Sequence, residues 1–197
     1  MNKRITTINR KTKETDTAVS LNIDGTGKGK IDVPVGFLTH MLDLFAKHGL
    51  FDLTVAAKGD TWTDEHHTVE DIGIVLGQAF CQALGDKKGI RRFGFFILPM
   101  DEALASVAVD FSARFAFTFD CQFTREKVGD LSTELVYDFW DAFAQNARIN
   151  LYIKVENGRN DHHMIEAIFK AVSRAIRMAC EIDNRSLNQI PSTKGKL

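Results

Sequence analysis

Asp64-Glu65-His66-His67-Thr68-Val69-Glu70-Asp71 returns later in the chain as Asp161-His162-His163-Met164-Ile165-Glu166. Each copy opens a segment whose apolar residues fall three and four apart. These are Val69, Ile72, Val75, Leu76, Ala79 and Phe80 in the first, and Ile165, Ile168, Phe169, Val172, Ala175 and Ile176 in the second. That spacing predicts two helices. Successive helical residues turn by about 100°, so the Glu of each motif sits angularly between its two His, one turn further on. Either imidazole can share an ion with that carboxylate, but the two adjacent imidazoles diverge too far to meet easily on one ion. Two such motifs suggest two metal sites, each drawing ligands from more than one segment. A lone His-His pair at a helix start is ordinarily a solvated surface feature. Two copies with one spacing and one setting, holding four of the six His, point to metal instead.

The surrounding chain repeats as well. Val19, Leu21 and Ile23 alternate with Ser20 and Asn22 as a strand. Asp24-Gly25-Thr26-Gly27 turns into a second strand over 30–33, and Pro34 and Gly36 then break the chain. Phe37, Leu38, Met41, Leu42, Leu44 and Phe45 mark a helix ending near Gly49. A strand through Phe51, Leu53, Val55 and Ala57 leads to a turn at Gly59-Asp60 and the first His-His helix. The second half predicts strands over 91–98, punctuated by Pro99-Met100, then 103–111 and 115–123. A helix over 135–147, a strand over 149–155 and a turn at Asn157-Gly158 precede the second His-His helix. Both halves read β-β-β-α-β-α. The fold expected is α+β, a tandem duplication with helices packed on one face of mixed sheets. The half-repeats run over 1–90 and 91–197, with no linker near Gly89, as one compact pseudo-symmetric body.

Sliding residues 38–53 onto 136–151 aligns Asp43 with Asp141, Phe45 with Phe143 and Ala46 with Ala144. It also sets His40 opposite Asp138. The repeat thereby nominates Asp138 as a ligand, against the alternative of an exposed helix residue. The net charge of −1 gives no general reason to expect nucleic acid or an anionic membrane as partner. Cys81, Cys121 and Cys180 are widely spaced without CxxC, and read as free thiols in a reducing cytoplasm. Fifteen Phe against two Tyr and two Trp point to a Phe-rich interior or interface.

His and carboxylate without thiolate suit a divalent ion such as Mn2+, Fe2+, Co2+ or Ni2+. HExxH is absent, which argues against a zinc protease. An anion-binding inventory accompanies the motifs. Arg92 and Arg114 flank the strands of the second half, and Arg114 lies in an otherwise apolar run, where an unpaired cation is costly. Lys170 stands one turn beyond Glu166. The tail Ile190-Pro191-Ser192-Thr193-Lys194-Gly195 offers hydroxyls and an ammonium. Guanidinium forks with Lys and Ser suit phosphate, although each residue alone also reads as scattered surface charge.

Five motifs, in order, carry a resemblance: Gly36-Phe37-Leu38-Thr39-His40-Met41-Leu42, Asp64 to Asp71, Pro99-Met100-Asp101-Glu102-Ala103-Leu104, Asn160-Asp161-His162-His163 and Pro191-Ser192-Thr193-Lys194-Gly195. Over nearly the whole chain they closely resemble the imidazoleglycerol-phosphate dehydratases of histidine biosynthesis. The resemblance implies the duplicated fold of ribosomal protein S5 domain 2. It implies a hydro-lyase converting D-erythro-imidazole glycerol phosphate to imidazole acetol phosphate through metal-stabilised imidazolate and diazafulvene chemistry. Two Mn2+ per subunit would be held by His66, His67, Glu70, His162, His163 and Glu166, with His40 at the substrate edge and Asp138 where several members carry a His ligand. Arg92, Arg114, Lys170, Ser192 and Lys194 match phosphate-binding positions. Glu14, which local pattern reads as an ordinary strand start, matches the acid/base carboxylate, and His40, His67, Glu70 and His163 join it in the catalytic set. The resemblance further implies a cytoplasmic 24-mer with sites shared between subunits. Thr39, Ala113, Asp138 and Tyr152 depart from the family's usual residues. A metal-storage protein would leave the Arg/Lys/Ser set without a use, and a different metal-dependent lyase on a phosphorylated heterocycle would differ in its turnover.

Overall fold

The computed structural model describes residues 3–197. Alternating apolar and polar side chains form two four-stranded sheets, one in each half. The first contains β1 (Ile5–Lys11), β2 (Thr15–Asn22), β3 (Gly29–Asp32) and β4 (Asp52–Gly59), in the order β1-β2-β4-β3. The second contains β5 (Phe93–Met100), β6 (Ala103–Asp110), β7 (Ala116–Asp120) and, after a short hairpin of β8 (Lys127–Val128) and β9 (Leu131–Ser132), β10 (Asn150–Asn157). Its order is β5-β6-β10-β7. Each sheet has one parallel pair, β3 with β4 and β7 with β10. Four helices join them: α1 (Gly36–Gly49), α2 (His66–Leu84), α3 (Leu135–Ala147) and α4 (Asp161–Cys180). None of the helices among the described residues is long and apolar enough to cross a membrane.

The duplication extends to backbone detail. Leu50 ends α1 in the left-handed region at φ 57°, and Arg148 ends α3 at φ 55°. The next amide folds back onto the helix in both: Phe51 N to Ala46 O at 3.0 Å, and Ile149 N to Ala144 O at 3.1 Å. His40 and Asp138 therefore occupy equivalent turns.

Helices of each half cover one face of their own sheet and pack against helices of the other half, α1 on α4 and α2 on α3. The core lies between them. Phe45, Phe51, Phe80, Phe139, Phe143, Phe169 and Trp140 are fully buried there. Their rings meet edge-on or tilted, as in Phe45–Phe80 at 6.0 Å and Trp140–Phe169 at 4.7 Å. This cluster accounts for much of the Phe-rich composition. Gly73 and Gly77 let α2 lie close to α3: a Cβ at either would stand 2.6 Å from Phe139 O or 2.5 Å from Phe143 O.

Four details differ from the sequence reading. β1 completes the expected β-β-β-α-β-α order of the first half at residues the sequence pattern left unassigned, because its polar side chains hide the alternation. Pro99 lies inside β5 rather than ending it, which is tolerated because β5 is an edge strand. Residues 121–123 fall outside β7, and the β8–β9 hairpin is an insertion confined to the second half.

That hairpin has a purpose. Val35 makes no side-chain cap at the start of α1. Instead Asp130, between β8 and β9, accepts from the amides of Gly36 at 2.6 Å and Phe37 at 2.8 Å. Burial raises the Asp130 carboxyl, but these donors outweigh it and hold it below its ordinary value. Asp130→Ala is expected to lose about 1–2 kcal/mol in denaturant unfolding at neutral pH, the range of a lost helix cap. A depressed carboxyl stabilises above the ordinary carboxylate range and ceases to do so as pH falls through it. The difference between variant and parent should therefore shrink in acid; a difference independent of pH would contradict the assignment.

Candidate active site

Packing α1 on α4 brings His40 beside His162. The Nε2 atoms of His40 and His162 lie 3.5 and 3.3 Å from the same Glu166 oxygen, Oε2. The three ligand atoms fall within 4.8 Å of one another, the one three-residue cluster of this kind among the described residues. The Phe37 ring packs edge-on against His162 at 5.0 Å. Glu166 is buried, and burial pushes its carboxyl up; the Lys170 ammonium at 2.5 Å and His40 more than reverse that, holding it below its ordinary value. The residue that could anchor a cation thus stays ionised. Two imidazoles and a carboxylate without thiolate fit a divalent ion of hard to borderline character.

Among the described residues the first motif has no such third partner. His66 Nε2 lies 3.9 Å from Glu70 Oε2, and both side chains are solvent-facing. Asp138 is half-buried on α3 and joins no three-ligand cluster among the described residues. Within each motif the rings diverge as the helix requires. His66 and His67 stand 6.1 Å apart at 84°, and His162 and His163 stand 6.0 Å apart at 82°.

The second His of each pair turns to a carboxylate that sequence reasoning missed. His67 Nδ1 lies 3.1 Å from Asp60 Oδ2, and this bond raises the His67 pKa. His163 Nδ1 lies 2.7 Å from Glu102 Oε2, and this bond is the leading cause of a Glu102 pKa of about 2. Asp60 had been visible only as a turn residue and Glu102 only as part of a motif. Glu14 is exposed in the turn between β1 and β2. Its neighbour Thr15 bonds Asp71 on α2, which Arg10 also contacts at 2.5 Å. The turn carrying Glu14 is thereby fastened to the first His-His helix.

A cationic cavity of about 360 Å³ lies elsewhere on the second half. Arg92, Arg114, Ser192 and Lys194 of the sequence inventory line it, together with Ser112, Lys196 and Arg148. Arg148 comes from the left-handed residue that ends α3, a position no local pattern marks. Arg92 forks onto Asp110 at 2.6 and 3.0 Å and donates to Pro191 O at 2.8 Å, fastening the tail to the cavity wall. Arg114 is exposed at the rim, so the expected cost of burying it does not arise. Lys170 lies outside this lining, bound instead to Glu166 and Met100.

The duplicated sandwich, its imidazole–carboxylate cluster and its cationic cavity define a class: an α+β protein whose sites suit a cation and a phosphorylated small molecule. A model of the imidazoleglycerol-phosphate dehydratase family matches residues 33–176. The chain is 58% identical over 194 residues to the imidazoleglycerol-phosphate dehydratase of Geobacillus sp., covering 98% of this chain and 99% of the relative. It is 55% identical to that of Rhodopirellula baltica, covering 98% and 96%. Among solved structures, the Staphylococcus aureus enzyme superposes with a TM-score of 0.80 at 41% identity, covering 90% of this chain and all of that one. The Pyrococcus furiosus enzyme, solved in complex with (S)-C348, gives 0.83 at 35% identity, covering 96% of this chain and all of that one. The chain belongs to the imidazoleglycerol-phosphate dehydratase family, lyases of histidine biosynthesis.

Arg114→Ala is expected to raise the Michaelis constant roughly 10- to 100-fold, since a hydrogen bond to a charged group contributes about 1.5–3 kcal/mol. Steady-state kinetics check this, and an unchanged constant would remove Arg114 from the anion site.

Proposed function

We propose that the chain dehydrates D-erythro-imidazole glycerol phosphate to imidazole acetol phosphate with two Mn2+ per subunit. The observation that carries this reading is the convergence of His40, His162 and Glu166 from opposite halves, with ligand atoms within 4.8 Å of one another. In it, His66, His67, Glu70 and Asp138 contribute with His163 to the remaining coordination. When bound, such ions act as Lewis acids toward the ring nitrogens and favour expulsion of the hydroxyl on the attached carbon.

The chain's own groups supply the rest. Arg114, Arg148, Ser192 and Lys194 grip the phosphate, with Arg92 holding the tail in place, so that the glycerol chain is presented in one pose. Glu14, whose carboxylate has no hydrogen-bond or ion-pair partner among the described residues, takes the proton from the neighbouring carbon. A histidine of the site protonates the departing hydroxyl, which leaves as water, and the resulting enol tautomerises to the ketone. Phosphate-gripping residues lie on the second half and Glu14 on the first. The test is turnover of imidazole glycerol phosphate, lost on chelation and restored by Mn2+. Glu14→Gln is expected to bind Mn2+ as the parent does while losing most turnover; a near-normal rate would refute its role.

Among the described residues one chain gathers only three ligands of this kind, so the reading includes self-association, as a 24-mer with sites shared between subunits. The edge strand β5 turns Phe93, Phe95 and Ile97 outward, with Phe95 66% exposed, a stripe suited to burial against another copy. Light scattering with Mn2+ present is expected to show the assembly, and a monomer would contradict it. Three free thiols suit the reducing cytoplasm.

A further inference from the structure

We infer that Asp60 and Glu102 are positioning carboxylates for His67 and His163, and that the two halves place this carboxylate at different points, which leaves Glu14 free. The sheet register supplies the argument. β2 pairs Val19 with Val55, and β6 pairs Val107 with Ile153. Counting back from Val19 and Val107 puts Glu14 and Glu102 at the same position, the residue immediately before each strand.

In the second half that carboxylate is fully engaged. Glu102 accepts from His163 Nδ1 at 2.7 Å and from the amides of Asn160 at 2.8 Å and Arg159 at 3.3 Å. Its own carbonyl accepts from the Asn157 side chain at 2.8 Å. It thereby grips both the turn before α4 and the ring that α4 carries.

In the first half the equivalent carboxylate, Glu14, makes none of these bonds. The His67 ring is held instead by both oxygens of Asp60, at 3.2 and 3.1 Å. Asp60 lies in the turn between β4 and α2 and is only 8% exposed, so its position is fixed. β10 is bulged between Val155 and Asn157, so Gly158 matches Gly59: a Cβ would meet Thr68 and Thr15 at Gly59, Met164 and Ala103 at Gly158. The residue matching Asp60 is therefore Arg159, which brings no carboxylate. The halves thus exchange places: an acid after β4 with none bound before β2, and an acid bound before β6 with an arginine at the matching point after β10.

The consequence is chemical. A carboxylate accepting at Nδ1 fixes the proton on that nitrogen, orients the ring and leaves the Nε2 lone pair for a cation; Asp101 Oδ2, 3.6 Å from His163 Nε2, stands beyond hydrogen-bond distance of it. Because Asp60 orients His67, Glu14 need not, and its carboxylate remains available for proton transfer.

This inference rests on the metal reading proposed above, and the experiment separates the two. In metal-free protein labelled with 15N-histidine, His67 and His163 are expected to carry the proton on Nδ1. A proton on Nε2 in the parent protein would overturn the inference whether or not any variant folds. Asp60→Asn should relax the tautomer of His67 alone, and Glu102→Gln that of His163 alone. Each should weaken Mn2+ binding by calorimetry about 10- to 100-fold. Glu14→Gln, at the position equivalent to Glu102, should change neither tautomer. Altered tautomers in a protein that binds no Mn2+ would sink the metal reading and keep the positioning roles. Unaltered tautomers in both variants would sink the positioning roles and leave the metal reading standing.

Discussion

Neighbouring side chains on a helix point about 100° apart, and two imidazoles so placed cannot easily converge on one ion. The near-perpendicular rings of His66–His67 and His162–His163 show that constraint directly. Everything else about the site is arranged around it. The inward-turning member of a pair needs ligands from another element, and the other member needs a partner of its own. A duplicated fold whose halves interlock meets the first need, because α1 of one half lies on α4 of the other and delivers His40 to His162 and Glu166. The interlock itself depends on small features: two glycines that let α2 approach α3, and a hairpin acid that caps α1.

The electrostatics divide in space. Glu166 is buried against Lys170 and kept ionised, so the cluster carries negative charge where a cation would sit. The cavity at the other functional surface gathers Arg92, Arg114, Arg148 and Lys194, with Arg92 balanced by Asp110. In the function proposed above, one region would hold a metal ion and the other a phosphate. The proposed substrate, with an azole at one end and a phosphate at the other, would use both, which a pure metal-storage protein would not.

Much of this was legible in the chain because periodicity and repetition are local. The His-His helices announce themselves by apolar spacing, and the equivalence of His40 and Asp138 follows from sliding one half over the other. The first strand was not legible, since Thr6, Thr7, Asn9 and Arg10 leave little apolar alternation to read. Nor was the hairpin of β8 and β9, which is too short to show a period. Asp60, Glu102 and Asp130 were missed for a common reason: an acid in a turn looks alike whether or not the fold sets an imidazole or a helix end against it, and Arg148 reaches its cavity only through the fold. Arg114 misled in the opposite sense, because apolar neighbours in sequence did not enclose it in space.

The most direct measurement is a crystal of the Mn2+-loaded protein, with diffraction recorded on both sides of the manganese absorption edge. The account predicts an anomalous peak within bonding distance of His40 Nε2, His162 Nε2 and the Glu166 carboxylate. Manganese found only at other positions, with these three side chains free of it, would contradict the claim that the interlocked halves exist to build this site.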